Sequence, residues 1–389
     1  MLQYGLISPL ATTLYCDPAS PNAKIVFEAM QMQFATTPQK ASILWMRRGY
    51  TQALQTLARH QTINHLPNER ALIDKSNLAR GLQSLPESLA GADLPLADFF
   101  PQTFCLETQA DLQQFRAAAN AAPSGTPWIV KPADLSKGRG IKIFDQPKAV
   151  TAWLGQYQAR QQQDPRASQF ITQRYLTQPL LLNQRKSEIR IYFLVLTLSP
   201  LRVLLCKAGT VRLNTLPFEL GRWDNPLIHI TNVYQQKKHP NYDPDAVLKW
   251  GFSDLEDHLC AARQAEPGFI AQHLRPRLKA ILRHTLRATQ SALSKPPSQG
   301  LCFALFGADL ILDAALNPWL TEVQKGPGLS LNDPVKRALL PAMLAEAIAL
   351  ADEARFKTLN QQSMATLQSR CNFEWVINDD PAAEVSNIA

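Results

Sequence analysis

The sequence predicts a mixed α/β protein of two or three structural units. Three observations carry this. The chain has 389 residues, more than a single core of ordinary size accommodates. β-prone runs recur along it, at 128–130, 141–144, 186–195 and 303–312. Between them lie runs with leucine at helical spacing, the longest over 270–293. Hydrophobic residues form 46% of the chain, enough for a sizeable core.

Composition narrows the function classes. The formal net charge is +8, which suits an acidic partner or a polyanionic ligand. The basic residues are scattered rather than gathered in a tail, which argues against nucleic acid. Cys16, Cys105, Cys206, Cys260, Cys302 and Cys371 are far apart, with no Cys-x-x-Cys pair. That excludes a zinc ribbon and a thioredoxin motif, and reduced thiols point to a cytoplasmic protein. No apolar run has the length of a membrane span, and no signal-peptide pattern opens the chain.

Residues 1–82 read as a small α/β unit. Residues 25–32 and 42–46 fit core strands or short helices equally. A helix starts near Leu72 and puts Lys75 on its polar side, as a solvated lysine. Residues 83–127 read as a connector punctuated by Pro86, Pro95 and Pro101. Within it Thr108 caps a helix over 109–119, with Leu112 and Phe115 inward.

Residues 128–180 form the central unit. Its hairpin, WIVKPADLSKGRGIKIF, carries Lys131, Lys137 and Arg139 with Gly138 and Gly140 at the tip. Glycine lets backbone N–H groups approach an anion, so this is either a cationic flap over phosphates or a plain basic hairpin. It is not a Walker A loop, because no Gly-Lys-Ser/Thr follows. It lacks the third glycine of a dinucleotide fingerprint. A helix over 150–163 and a strand over 170–176 complete the unit.

Residues 181–355 form the largest unit. Alternation over 186–195 puts Lys186, Glu188 and Arg190 on one face, with Ile189 and Ile191 on the other. Buried unpaired, those charges would be costly, so they line a wet cleft or an exposed edge. Residues 201–206 and 210–213 pair as a hairpin through Lys207-Ala208-Gly209. Residues 227–232 are a short strand, and 235–245 are polar and mobile. The helix over 270–293 shows Arg275, Arg277, Lys279, Arg283 and Arg287 as a solvated face. Strands at 303–312 and 318–323 are interrupted by Asp309 and Glu322. Two such carboxylates repel unless a cation lies between them, one is protonated, or an arginine pairs with one. Mg²⁺ is the natural cation. A helix over 335–351 closes the unit, and residues 356–389 are a fraying tail.

The order of these motifs resembles the tubulin tyrosine ligase-like family of ATP-grasp ligases. A lysine at a helix start, a WIxKP…SxGxGI hairpin and a Gln-Arg-Tyr-Leu strand come first. Lys-x-Glu-Ile-Arg, His-x-Thr-Asn, Phe-Gly-x-Asp and Glu-Val-Gln…Pro-x-Leu follow. The likeness runs from about residue 63 to 350, with weaker similarity over 44–50. It implies an ATP-grasp fold: a small N-terminal α/β domain, a central domain with a Gly-rich flap, and a C-terminal mixed-sheet domain.

The resemblance also implies roles. Lys75 and Lys131 contact phosphates, and Lys137, Gly138, Arg139 and Gly140 close on them. Gln173, Arg174, Tyr175 and Leu176 form the hinge beside adenine. Lys186 and Glu188 line the ribose and phosphate side. Arg190 and Arg212 face the transferred phosphoryl group and the reacting carboxylates. His229, Thr231 and Asn232 complete the cleft, and Asp309, Glu322 and Gln324 hold Mg²⁺. The implied reaction is ATP-dependent amide formation between a carboxylate on an acidic protein, tubulin included, and a free amino acid. The motifs are closest to the glutamate-adding members, ahead of glycine- or tyrosine-adding ones. Glu188 and Gln324 depart from the family's usual aspartate and asparagine by one methylene each.

Overall fold

The computed structural model describes residues 12–86, 94–163, 169–240, 242, 248–293, 299–326, 328–331 and 333–379. Its centre is the antiparallel pair Arg185–Leu198 and Leu201–Leu213. Ala304–Leu312 and Pro318–Lys325 extend the sheet on one side, and Lys249–Gly251 on the other. Leu181–Leu182 and Phe373–Asn378 pair beside this row, giving seven strands.

Alternation assigns each residue of the Arg185–Leu198 strand to a face. Ile189, Ile191, Phe193 and Val195 join one core with Leu278, Ile281 and Leu282 of helix Arg275–Leu293. Tyr192, Leu194 and Leu196 join the other with Met343, Leu344 and Ala347 of helix Pro334–Leu359. Lys186, Glu188 and Arg190 continue this second face, where the apolar run stops.

The N-terminal unit is a five-stranded parallel sheet in the order Leu301–Cys302, Thr62–Ile63, Ile43–Trp45, Thr13–Cys16, Gln33–Phe34. Of the two ambiguous segments, Pro21–Ala29 is a helix and Ile43–Trp45 a strand. A third sheet, antiparallel, runs Thr103–Cys105, Phe170–Arg174, Trp128–Pro132, Lys142–Phe144. Helix Gln109–Ala121 backs it, opened by a capping box in which Asp111 N donates to Thr108 Oγ1 and Thr108 N donates to Asp111 Oδ2. The segment read as a connector therefore supplies this sheet with a strand and a helix.

Several expectations are corrected. Residues 207–209 are no turn: Leu201–Leu213 is one continuous strand. Gly209 sits there because a Cβ would lie 2.4 Å from Phe252 and 2.8 Å from the Arg190 carbonyl oxygen. Pro226–His229 is a helical turn rather than a strand, with Asn225 capping its start. Gln235 and Gln236 are buried, and Gln236 bonds Thr215 N, Leu227 O and Ile230 O, so this part of 235–245 is fixed. Positions 241 and 243–245 lie outside the described residues.

The tail is corrected as well. Helix Pro334–Leu359 runs beyond 351, and Phe373–Asn378 is a strand of the central sheet. Buried Glu346 accepts hydrogen bonds from the backbone N–H groups of Cys371, Asn372 and Phe373. Residues 380–389 lie outside the described residues. The basic stripe is only partly solvated. Arg275 and Lys279 pair with Glu374, Arg287 pairs with Asp379, and Arg283 is exposed. Among the described residues no helix is long and apolar enough to cross a membrane, and all six cysteines are free.

Candidate active site

Four adjacent strands carry a row of charges. Strand register sets Arg212 opposite Glu188, Arg190 opposite Asp309, and Asp309 opposite Glu322. Arg190 Nη2 donates to Asp309 Oδ2 at 2.7 Å, and its Nε donates to Oδ1. Arg212 Nη2 lies 2.8 Å from Asp309 Oδ1 and 2.7 Å from Glu188 Oε2. Lys75 Nζ lies 3.1 Å from Glu322 Oε2. The two carboxylates on facing strands are thus paired with arginine and lysine.

Burial makes these charges strongly interdependent. Burial alone would raise the Asp309 pKa, but Arg190 and Arg212 outweigh it and hold the carboxyl well below the usual range. Glu188 goes the other way: burial and then repulsion from Asp309 raise it, against Arg212 and Thr231. Burial pushes Lys131 down to about 8 and Lys186 down to about 7. Five cations (Lys75, Lys131, Lys186, Arg190, Arg212) surround three carboxylates, so a polyanion would relieve the surplus.

Lys75 is 8% exposed, against the expectation of a solvated lysine. Asp74 caps its helix by accepting from Ser76 N and Asn77 N, and this fixes the first turn. Lys75 then reaches across to the flap hairpin, its N–H donating to Ala133 O and its ammonium to Leu135 O at 2.9 Å. Lys131 Nζ donates to Gln173 Oε1 at 2.8 Å, and Gln173 Nε2 donates to Thr103 Oγ1.

The flap tip is seated on the wall below it. Lys137, Gly138 and Gly140 have φ of 66°, 66° and 70°, the left-handed region that favours glycine. A Cβ on Gly138 would lie 2.8 Å from Ile230 and 2.9 Å from Gln235, and one on Gly140 2.9 Å from Pro132. Gln235 Nε2 donates to Lys137 O at 3.0 Å, and the Lys137 ammonium lies 5.4 Å from the Tyr234 ring centroid.

Beneath the flap is a cavity of about 80 Å³. Lys75, Lys131, Gly138, Arg139, Lys186, Glu188, His229, Thr231, Asn232 and Glu322 line it. Arg174, Tyr175 and Leu176 instead line a separate cavity of about 760 Å³. The N–H groups of Arg174 and Tyr175 already donate to Gln102 O and Pro127 O. Arg174 and Leu176 thus face away from the flap cavity, while the Tyr175 hydroxyl reaches its wall, bonded to Lys186 and His229.

Sequence reasoning missed Thr321, whose hydroxyl shares its one hydrogen between Asp309 O at 3.0 Å and Glu188 Oε1 at 3.3 Å. Register slips between Asp309 and Leu310, so Thr321 and Glu322 both line the cavity. Period-two reading cannot find a bulge. The apolar walls Ile129, Ile141 and Ile311 were also missed.

Asp309 and Glu322 carry carboxylate oxygens and Gln324 an amide oxygen, the donor type that a hard divalent cation taking few protein ligands uses. Gln324 sits among them, accepting from Arg190 Nη2 at 2.9 Å and donating to Asp309 Oδ2 at 3.3 Å and to Glu322. Among the described residues no group of three or more His, Cys, Asp or Glu converges as a metal site.

Residues 52–361 match the sequence model of the tubulin-tyrosine ligase family. A Bos taurus protein described as probable tubulin polyglutamylase TTLL9 is 27% identical over 347 residues, covering 80% of this chain and 72% of that protein. Tubulin polyglutamylase TTLL5 of Homo sapiens is 26% identical, over 75% of this chain and 22% of its own. A Tetrahymena thermophila protein described as probable alpha-tubulin polyglutamylase Ttll1 is 28% identical, over 72% of this chain and 69% of its own.

Proposed function

This chain belongs to the tubulin-tyrosine ligase family, and from that premise we propose that it is an ATP- and Mg²⁺-dependent protein glutamate ligase acting on tubulin or another acidic protein. The γ-phosphoryl group of ATP passes to an acceptor carboxylate, giving an acyl phosphate and ADP. The amine of glutamate attacks that carbonyl, an amide C–N bond forms, and inorganic phosphate leaves.

The observation that carries this reading is the charge row from Arg212 to Glu322. Phosphoryl transfer is catalysed mainly by positioning and charge neutralisation, which fixed guanidinium and ammonium groups supply. Lys75, Lys131 and Lys186 bind the phosphates, with Arg139 above them. Arg190 and Arg212, held by Asp309 and Glu188, face the carboxylates that react. Thr231 and Thr321 hold Glu188 on the ribose side. Asp309, Glu322 and Gln324 hold Mg²⁺, which neutralises phosphate charge when bound.

The cavity is far smaller than the roughly 300 Å³ of the smaller ligand pockets. ATP therefore enters with the flap lifted, and the flap returns over it. A closed flap keeps water from the acyl phosphate.

The experiment is mass spectrometry of tubulin and of an acidic peptide after incubation with the protein, ATP, Mg²⁺ and each amino acid in turn. Glutamate-sized additions to acceptor carboxylates support the reading. A second reading, a nucleotide-binding scaffold without turnover, is favoured by the Gln324 amide between the two carboxylates. It predicts ATP binding with no added mass.

A further inference from the structure

Lys186 is buried, and its ammonium has few partners. It donates to Tyr175 Oη at 3.0 Å and to the His229 carbonyl oxygen at 3.0 Å, and lies 4.5 Å from the Tyr175 ring centroid. Among the described residues two of its three N–H bonds are thereby committed, which leaves one for a ligand in the cavity it lines. The Tyr175 hydroxyl lies 2.9 Å from His229 Nδ1. At the far side of the ring, His229 Nε2 lies 2.9 Å from the Arg222 carbonyl oxygen.

Chemistry fixes the direction of this chain. A carbonyl oxygen only accepts, so His229 Nε2 carries the hydrogen and donates to Arg222 O. The Lys186 nitrogen is placed to donate to the Tyr175 oxygen, and in its protonated form it can only donate, so the Tyr175 oxygen accepts from Lys186. The Tyr175 hydrogen then goes to His229 Nδ1, which must hold a lone pair. A doubly protonated ring would orphan the Tyr175 hydrogen and set a second cation beside Lys186. Three rings cage the imidazole: Trp223 stacks on it at 5.1 Å, and Tyr175 and Phe218 meet it edge-on at 5.6 and 5.9 Å.

We infer that His229 is a positioning residue: locked as its neutral Nε2–H tautomer by the Arg222 carbonyl, it orients the Tyr175 hydroxyl and through it aims the Lys186 ammonium at the ligand. Burial and the nearby Lys186 lower the His229 pKa, consistent with a neutral ring. The segment 218–225 thus reaches the cavity through the ring, although Arg222 and Trp223 are not among the residues lining it. This rests on the reading of that cavity as a nucleotide site.

The test pairs histidine ¹⁵N NMR of the full chain with ADP binding by calorimetry. His229→Ala, used for assignment, and His229→Asn are compared. Asparagine keeps an acceptor where Nδ1 stood but cannot reach Arg222. The expected spectrum shows His229 as the neutral Nε2–H tautomer near pH 7. His229→Ala weakens ADP binding about tenfold, and His229→Asn restores it to within about threefold. Tyr175→Phe with His229→Ala is no worse than the poorer single variant, because both cut one chain. An Nδ1–H tautomer, a charged ring, or additive losses would overturn the inference. If the wild-type protein shows the expected tautomer but binds no ADP, the nucleotide reading fails and the hydrogen-bond chain stands.

Discussion

The Arg190 guanidinium grips the Asp309 carboxylate through two hydrogen bonds, and the two residues are directly opposed on neighbouring strands. Both are nearly inaccessible, at 5% and 1% exposure. Removing one partner of a buried ion pair leaves an uncompensated charge. Here Arg212 stays 2.8 Å from Asp309, so Arg190→Ala is expected to cost about 1–3 kcal/mol in stability, less than a lone buried pair would, and to abolish turnover. Arg190→Lys keeps the charge but loses the two-pronged geometry, and should fold better than Arg190→Ala while staying inactive. Urea denaturation with an ADP-release assay checks both.

Lys186 makes stability depend on pH in a definite direction. Burial holds it at about 7, below the ordinary lysine value of about 10.4. Between those values the unfolded chain binds more protons, so stability due to Lys186 rises with pH across the window. Below it the buried ammonium exerts its full cost. In thermal unfolding, the stability of the wild type relative to Lys186→Met should rise steadily from about pH 7 to 10. Parallel profiles would contradict the burial of a charged lysine here.

Gly138 tests the flap. An alanine there strains a left-handed backbone position and drives its methyl into Ile230 and Gln235. Gly138→Ala should unseat the tip and raise the KM for ATP at least about tenfold, with the Tm changed by only about 2 °C or less because the tip is peripheral. Nucleotide titration beside a thermal melt reads both quantities.

The C-terminal strand is structural. Glu346 is fully buried and accepts from three successive backbone N–H groups, those of the two residues before that strand and of its first residue. Glu346→Ala leaves those donors unpaired, each at roughly 1–3 kcal/mol. Loss of soluble folded protein, or a Tm fall of several degrees, is expected. Hydrogen exchange should show residues 371–378 losing protection first.

Legibility in the sequence followed local pattern. The Lys186, Glu188 and Arg190 face was readable because strand alternation is local and charges inside it conspicuous. The flap was readable for the same reason. Gly209 misled because a glycine in a strand looks like a turn until the Phe252 ring above it is known. The strand at 373–378 was hidden because its reasons lie elsewhere in the chain: Glu346, Arg275, Lys279 and the Leu201–Leu213 strand. Lys75 looked solvated because the flap hairpin that covers it begins more than fifty residues later. Thr321 escaped because a bulge breaks the period that would have placed it.

The most direct measurement is ADP release from ATP and Mg²⁺ with purified tubulin as acceptor, each standard amino acid supplied singly, and Glu322→Gln as control. For a glutamate ligase the expected release requires glutamate, requires the acceptor, and disappears in Glu322→Gln. Release that ignores the amino acid, persists in the variant, or fails under every combination despite tight ATP binding would contradict that activity.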